Sequence, residues 1–227
     1  MESKHFRLLS LAIGKLCRAI VRANISPCEV QTTLNLEIVQ AGDPVLRKLA
    51  RPLHADEIAS ASLQKTIADM LETLRLAPGV GLAAPQIGLG VSLAIVEDRE
   101  QYHSSWSADQ LRARGRVPVP FQVLINPELE VDSRSTVDFF EGCLSVAGYT
   151  AEVPRHSHVH VRCLNERGEK QIIEAEGWYA RILQHEIDHL NGTLYIDRMK
   201  PRTFMSIKNY QDRWRNAEDE AHRVFGD

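Results

Sequence analysis

The stretch "SHVHVRCLNERGEKQIIEAEGWYARILQHEIDHLNG", Ser157 to Gly192, decides the fold class. "SHVHVRCL" alternates apolar and polar residues, "NERGE" is a turn, and "KQIIEAE" returns as the partner strand of a hairpin. The period then changes. Trp178, Ile182, His185 and His189 fall at steps of four, three and four, so Gly177 to Leu190 reads as a helix with one inward face, stopped by Gly192. Upstream, Leu63, Ile67, Met70, Leu71 and Leu74 recur at helical spacing until Pro78 and Gly79 end that helix. "SLAIVED" and "FQVLIN" read as strands, the second stopped by Pro127, and a last helix is expected through "SIKNYQDRWRNAEDEAHRVF". Strands that arrive in runs, rather than alternating with crossover helices, favour α+β over a doubly wound parallel sheet.

Composition sets the outer limits. A chain of 227 residues, 44% hydrophobic and 25% charged, has the balance of an ordinary globular protein and fits one large domain or one domain with extensions. A net charge of −3 gives no global basic field, so DNA binding gets no support from charge. No apolar run reaches the length of a membrane span. Cys17, Cys28, Cys143 and Cys163 are too few and too scattered for a disulfide framework, which suits a reducing compartment. The first residues differ from the rest. Lys4, Arg7, Lys15, Arg18 and Arg22 stand against the single acid Glu2, with leucines between them. That pattern fits an organellar presequence, and equally a frayed N-terminal helix or residues from an upstream start codon. Residues 1–35 are therefore set apart as an N-terminal extension, and 36–227 as the folded domain with its C-terminal helix.

"QHEIDHLNG" carries the first chemical signal. Two imidazoles four residues apart on a buried helix stripe, His185 and His189, can hold one metal ion, and Glu186 beside them can act on its water. The pattern H-E-x-x-H arises by chance in on the order of a few per cent of such sequences, so it decides little alone. No further ligand follows His189 at the metzincin spacing. A third ligand must come from elsewhere. Two upstream segments stand out: "EGCLSV", Glu141 to Val146, after the strand-like "VDFF", and "GVGLAAPQIG", Gly79 to Gly88. The second has no Lys-Ser/Thr and no P-loop or dinucleotide spacing, so a phosphate cradle is disfavoured.

Together with "QHEIDHLNG", these segments in this order resemble the peptide deformylases, metal hydrolases that remove the formyl group from N-terminal formylmethionine. The resemblance runs from "EIVQAGDPVLR" to "LYIDRMKPRTF", roughly Leu36 to Phe204. It implies an α+β fold with antiparallel sheets packed around a central metal-binding helix. It also implies that Cys143, His185 and His189 hold one divalent ion, Fe(II) in the family and replaceable by Zn, Ni or Co. Glu186 would be general base and then acid, and Gln86 with the backbone N–H of Leu144 would stabilise the oxyanion. Val80 and Gly81 would line the path of the peptide, and Glu141 with Arg155 would pair to support the loop carrying Cys143. Partners implied are nascent formylmethionyl polypeptides, with a transient ribosome contact as a further expectation. Such an enzyme works where translation starts with formylmethionine: bacterial cytoplasm is the first choice, mitochondrion or plastid the alternative.

Other features are read more plainly. "HSHVH" sets His156, His158 and His160 on one strand face, and a solvated face is favoured over a second metal site. Cys163 reads as a small buried hydrophobe. Thr150 stands where some bacterial deformylases carry a substrate-contacting arginine. "REQYHSSWSADQLRARGRVPVP", residues 99–120, is an insertion relative to short family members, expected as a surface loop with a helical turn. Two alternatives stay open at this level. One is a zinc endopeptidase with a downstream third ligand. The other is a catalytically silent ribosome-associated protein, which Lys208, Arg213 and Arg215 would support and Glu218, Asp219 and Glu220 weaken.

Overall fold

The computed structural model describes residues 36–131 and 135–225, so the expected extension over residues 1–35 lies outside the described residues. In chain order the elements used below are helix α1 (Ala61–Leu76), strands β1 (Gly81–Ala83) and β2 (Leu93–Asp98), and helix α2 (Ala108–Ala113). Strands β3 (Val119–Val131), β4 (Thr136–Cys143), β5 (Val146–His156), β6 (His158–Leu164) and β7 (Lys170–Glu176) follow. Helix α3 (Gly177–Leu190), strand β8 (Met205–Ser206) and helix α4 (Glu218–Phe225) complete the set. One sheet has the order β1-β2-β3-β6-β7 and the other β4-β5-β8, with every named strand pair antiparallel.

The core explains the sequence pattern. Helix α1 begins where the Ser60 hydroxyl accepts from the Leu63 N–H, and it turns Leu63, Ile67, Met70 and Leu74 inward. These pack with Leu93 and Ile95 of β2 in one cluster, while Ala94 and Val96 join Leu183 and Ile187 of α3 in another. The five-stranded sheet is thus covered on both faces, which is why "LAIV" reads as an unbroken apolar run. Each fully buried leucine or isoleucine here contributes roughly 1.5–3 kcal/mol. Helix α3 lies against both sheets' strands, with contacts to β1, β2, β3, β6 and β7 of one and β5 of the other. Its start is pinned by Gly177, at φ +58°, where a Cβ would lie 2.8 Å from the Arg114 carbonyl oxygen.

Four local expectations need correcting. Strand β3 does not stop at Pro127 but runs to Val131. Asn126 takes φ +51°, its side chain exchanges two hydrogen bonds with the Leu53 backbone, and the register to β6 shifts between Ile125 and Glu128. Pro127 sits in that bulge, where no ladder N–H is needed. The last helix is broken: a short helical turn Ile207–Asn209 and a wide turn Tyr210–Trp214 precede α4. The Gln110 Nε2 donates to the Arg215 carbonyl and to the Asn216 side-chain oxygen, at the point where the continuous helix is interrupted. "HSHVH" is split, because His156 closes β5 and His158 opens β6, so the run passes from one sheet to the other. The insertion carries helical turns as expected, yet His103, Arg114 and Arg116 are buried, so it is anchored rather than a loose loop.

Candidate active site

The three candidate ligands come from two distant segments. Cys143 is the last residue of β4, at the turn into β5, while His185 and His189 project from successive turns of α3. One ligand atom from each lies within 4.8 Å of the others, and among the described residues this is the group with metal-ligand spacing. The Cys143 Sγ is 3.3 Å from the His189 Nε2. Burial disfavours a charged imidazole at both sites, but at His185 the Cys143 sulfur and the Glu141 carboxylate outweigh it and hold its pKa well above the usual value. At His189 burial and the neighbouring His185 push the pKa well down. A field that holds a proton on His185 also favours a metal cation there, so the donor set fits a divalent ion.

Glu186 lies beside this cluster with unusual closeness to the Gly-rich segment. A Cβ on Gly81 would stand 2.2 Å from the Glu186 Oε1, so only glycine leaves room for the carboxyl. The Oε2 is buried without a hydrogen-bond partner, and burial pushes the carboxyl up to about 7 against the pull of His185. That value suits a group exchanging protons near neutrality. Gln86 is oriented by the backbone. Its Oε1 accepts from the Ala83 N–H at 2.8 Å, which turns Nε2 toward the Cys143 Sγ at 3.6 Å and the Ser145 Oγ at 3.4 Å. Leu144 follows Cys143 in the turn, and its N–H has no protein acceptor among the described residues.

A buried charge network holds α3 to the second sheet. The Glu141 carboxylate accepts from Arg155 Nε at 2.9 Å and Nη2 at 3.0 Å, from Arg181 Nη1 at 2.6 Å, and lies 2.9 Å from the His185 Nδ1. The last contact sets the His185 ring so that Nε2 is left for a ligand bond. Burial alone would raise the Glu141 pKa, yet Arg155 and His185 together hold it well below the carboxylate range. Arg155 also reaches Asp188, which accepts a two-pronged contact from Arg198. Arg181, Asp188 and Arg198 were not singled out by the sequence; for Arg181 and Asp188 the signal available was only a charged residue on the buried face of α3, and Arg198, beyond that helix, carried none. Thr150 is buried and donates from Oγ1 to the Glu141 carbonyl at 2.7 Å.

These groups open into a cleft of about 440 Å³. Val80, Gly81, Gln86, Cys143, Leu144 and Glu186 line it, and Trp178 and Ile182 of α3 give it an apolar wall. Arg116 of the insertion also lines it, although no motif in the sequence marks it.

A sulfur and two ring nitrogens converging beside a buried carboxyl, on an antiparallel α+β frame, place the protein among candidate metal hydrolases. The chain belongs to the polypeptide deformylase family, whose model matches residues 35–205. It is 48% identical over 173 residues to the chloroplastic peptide deformylase 1A of Solanum lycopersicum, covering 76% of this chain and 62% of that one. It is 46% identical over 180 residues to peptide deformylase 1 of Streptomyces coelicolor, covering 79% of this chain and 80% of that one. The class I type b peptide deformylase of Acinetobacter baumannii, solved bound to Met-Ala-Ser, matches with a TM-score of 0.65 at 32% identity, over 74% of this chain and 99% of that one. This chain therefore spans less than two thirds of the tomato relative's length.

Proposed function

We propose that this protein removes the formyl group from the N-terminal formylmethionine of newly made polypeptides, releasing formate. The observation that carries the reading is the convergence of Cys143, His185 and His189 beside Glu186 and the Gln86 amide. A divalent ion held by those three residues would supply Lewis acidity and make a water easier to deprotonate, and Fe(II) is the ion proposed, with Ni, Co or Zn as replacements. Glu186 takes the proton of the attacking water and delivers it to the amine as the C–N bond breaks. The products are formate and a free N-terminal amine.

The other residues act on the formyl group and the chain behind it. Gln86 Nε2 and the Leu144 N–H donate to the formyl oxygen as it gains negative charge. The Gln86 amide suits this because its orientation is fixed before substrate arrives. The peptide lies extended along Val80 and Gly81, with the methionine side chain against Trp178 and Ile182. Glu141, held by Arg155, keeps His185 in register. No helix among the described residues is long and apolar enough to cross a membrane. Bacterial cytoplasm is the proposed site of action, with mitochondrion or plastid as the alternative, since relatives include chloroplastic and bacterial proteins. A basic ribosome-binding face draws little support: Lys208 pairs with Asp212 and Arg215 lies over the Trp106 ring.

The test is formate release from formyl-Met-Ala-Ser by protein loaded anaerobically with Fe(II) or Ni(II). Release of formate and free amine in equal amounts is expected. Intact, metal-loaded protein that releases none, or that cuts internal peptide bonds instead, would refute the reading.

A further inference from the structure

Arg116 comes from the insertion, lines the same cleft and is only 9% exposed. Its Nε and Nη2 donate to the fully buried Asp98 at 2.7 and 2.9 Å, and its guanidinium lies 5.5 Å from the Trp106 ring centre and 5.4 Å from that of Trp178. Asp98 and the two rings thus hold it from three sides. Arg181, which lines the same cleft, spends its donors on Glu141 and on the carbonyls of Val137 and Val153. Arg116 does not. Its Nη1 has no protein acceptor among the described residues, which leaves a spare charged donor on a side chain that lines the cleft beside Trp178.

That donor belongs to a side chain packed against Trp178, the ring proposed above to receive the methionine side chain. We infer that Arg116 is a specificity-determining residue, which donates from Nη1 to an acceptor at the δ-position of the first side chain and so selects sulfur-bearing residues over their hydrocarbon isostere. The physical reason is desolvation. A norleucine side chain would strip water from Nη1 and return nothing, whereas a thioether is a weak acceptor and a sulfoxide oxygen a strong one. The cleft should therefore admit formylmethionine sulfoxide, which an entirely apolar pocket would reject.

This inference rests on the deformylase reading, and the test separates the two. Formate release is measured from formyl-Met-Ala-Ser, formyl-norleucyl-Ala-Ser and formyl-methionine-sulfoxide-Ala-Ser, with the metal-loaded parent and with the double variant Arg116→Leu/Asp98→Asn. The second substitution avoids leaving a buried carboxylate without its cation. In the parent, kcat/KM is expected to favour methionine over norleucine by about threefold, and the sulfoxide to match or exceed norleucine. In the variant the methionine preference should vanish, and the sulfoxide-to-norleucine ratio should fall by about tenfold. If the double variant does not fold, as judged by thermal melting, Arg116→Lys is read the same way, since it keeps a charge for Asp98 but loses the second planar edge. Ratios unchanged in a folded variant, or a parent that prefers norleucine, would overturn the inference while the deformylase reading stands. A parent that releases no formate from any of the three overturns both.

Discussion

Arg181 and Arg116 line one cleft, are both nearly buried, and are used differently. Arg181 sits on α3 with its hydrogen bonds turned inward to Glu141 and to carbonyls of β4 and β5. Arg116 sits near the end of the insertion, fixed by Asp98 on one edge, and its Nη1 has no acceptor among the described residues. A buried cation whose donors are satisfied by the protein holds geometry, and one left with a spare donor addresses whatever enters the cleft. On the proposed reading, Arg181 helps set where the reacting groups stand, and Arg116 sets which side chain is welcome.

Substitutions can break that division. The largest effect is expected at the reacting group: Glu186→Gln should lower kcat by about a thousandfold or more while metal content, measured by atomic absorption, stays at the parent level. Loss of the metal instead would make Glu186 a structural residue. Arg181→Met should act on stability, costing about 3 kcal/mol in denaturant unfolding because Glu141 loses a buried donor, yet leaving the methionine-to-norleucine ratio as in the parent. A changed ratio would erase the contrast between the two arginines. Glu141→Gln should weaken metal binding about 10- to 100-fold in competition with a chelator, because His185 loses the partner that orients it.

The same carboxylate gives a pH signature. Its folded pKa lies below the unfolded value of about 4.3, so its contribution is present above that pH and is lost as pH falls. The parent should therefore lose stability more steeply than Glu141→Gln between about pH 5 and 3. Parallel curves would show that the network does not depend on this charge.

The residues of the proposed centre were legible in the sequence because the proposed chemistry demands particular residue types at short spacing. Cys143, His185, Glu186, His189 and Gln86 could each be chosen from contiguous motifs, and the alternation from Ser157 to Glu176 told the hairpin from a helix. What stayed hidden depends on partners far away in the chain. Arg181 meets Glu141 across 40 residues, and Arg116 matters only because Asp98, Trp106 and Trp178 close around it. The β3 bulge was hidden for the same reason, since Asn126 takes its conformation from Leu53. The C-terminal helix has a continuous helical pattern, and tertiary contacts from Gln110 and the ring pair Phe140–Tyr210 override it.

The central claim is that a sulfur from the β4–β5 turn completes a metal site otherwise made by one helix. Absorption of the Co(II)-loaded protein tests it most directly, compared between the parent and Cys143→Ala. A sulfur-to-cobalt charge-transfer band in the parent that disappears in the variant is the predicted result. A band that persists in the variant, or is missing from a parent carrying one equivalent of cobalt, would contradict it.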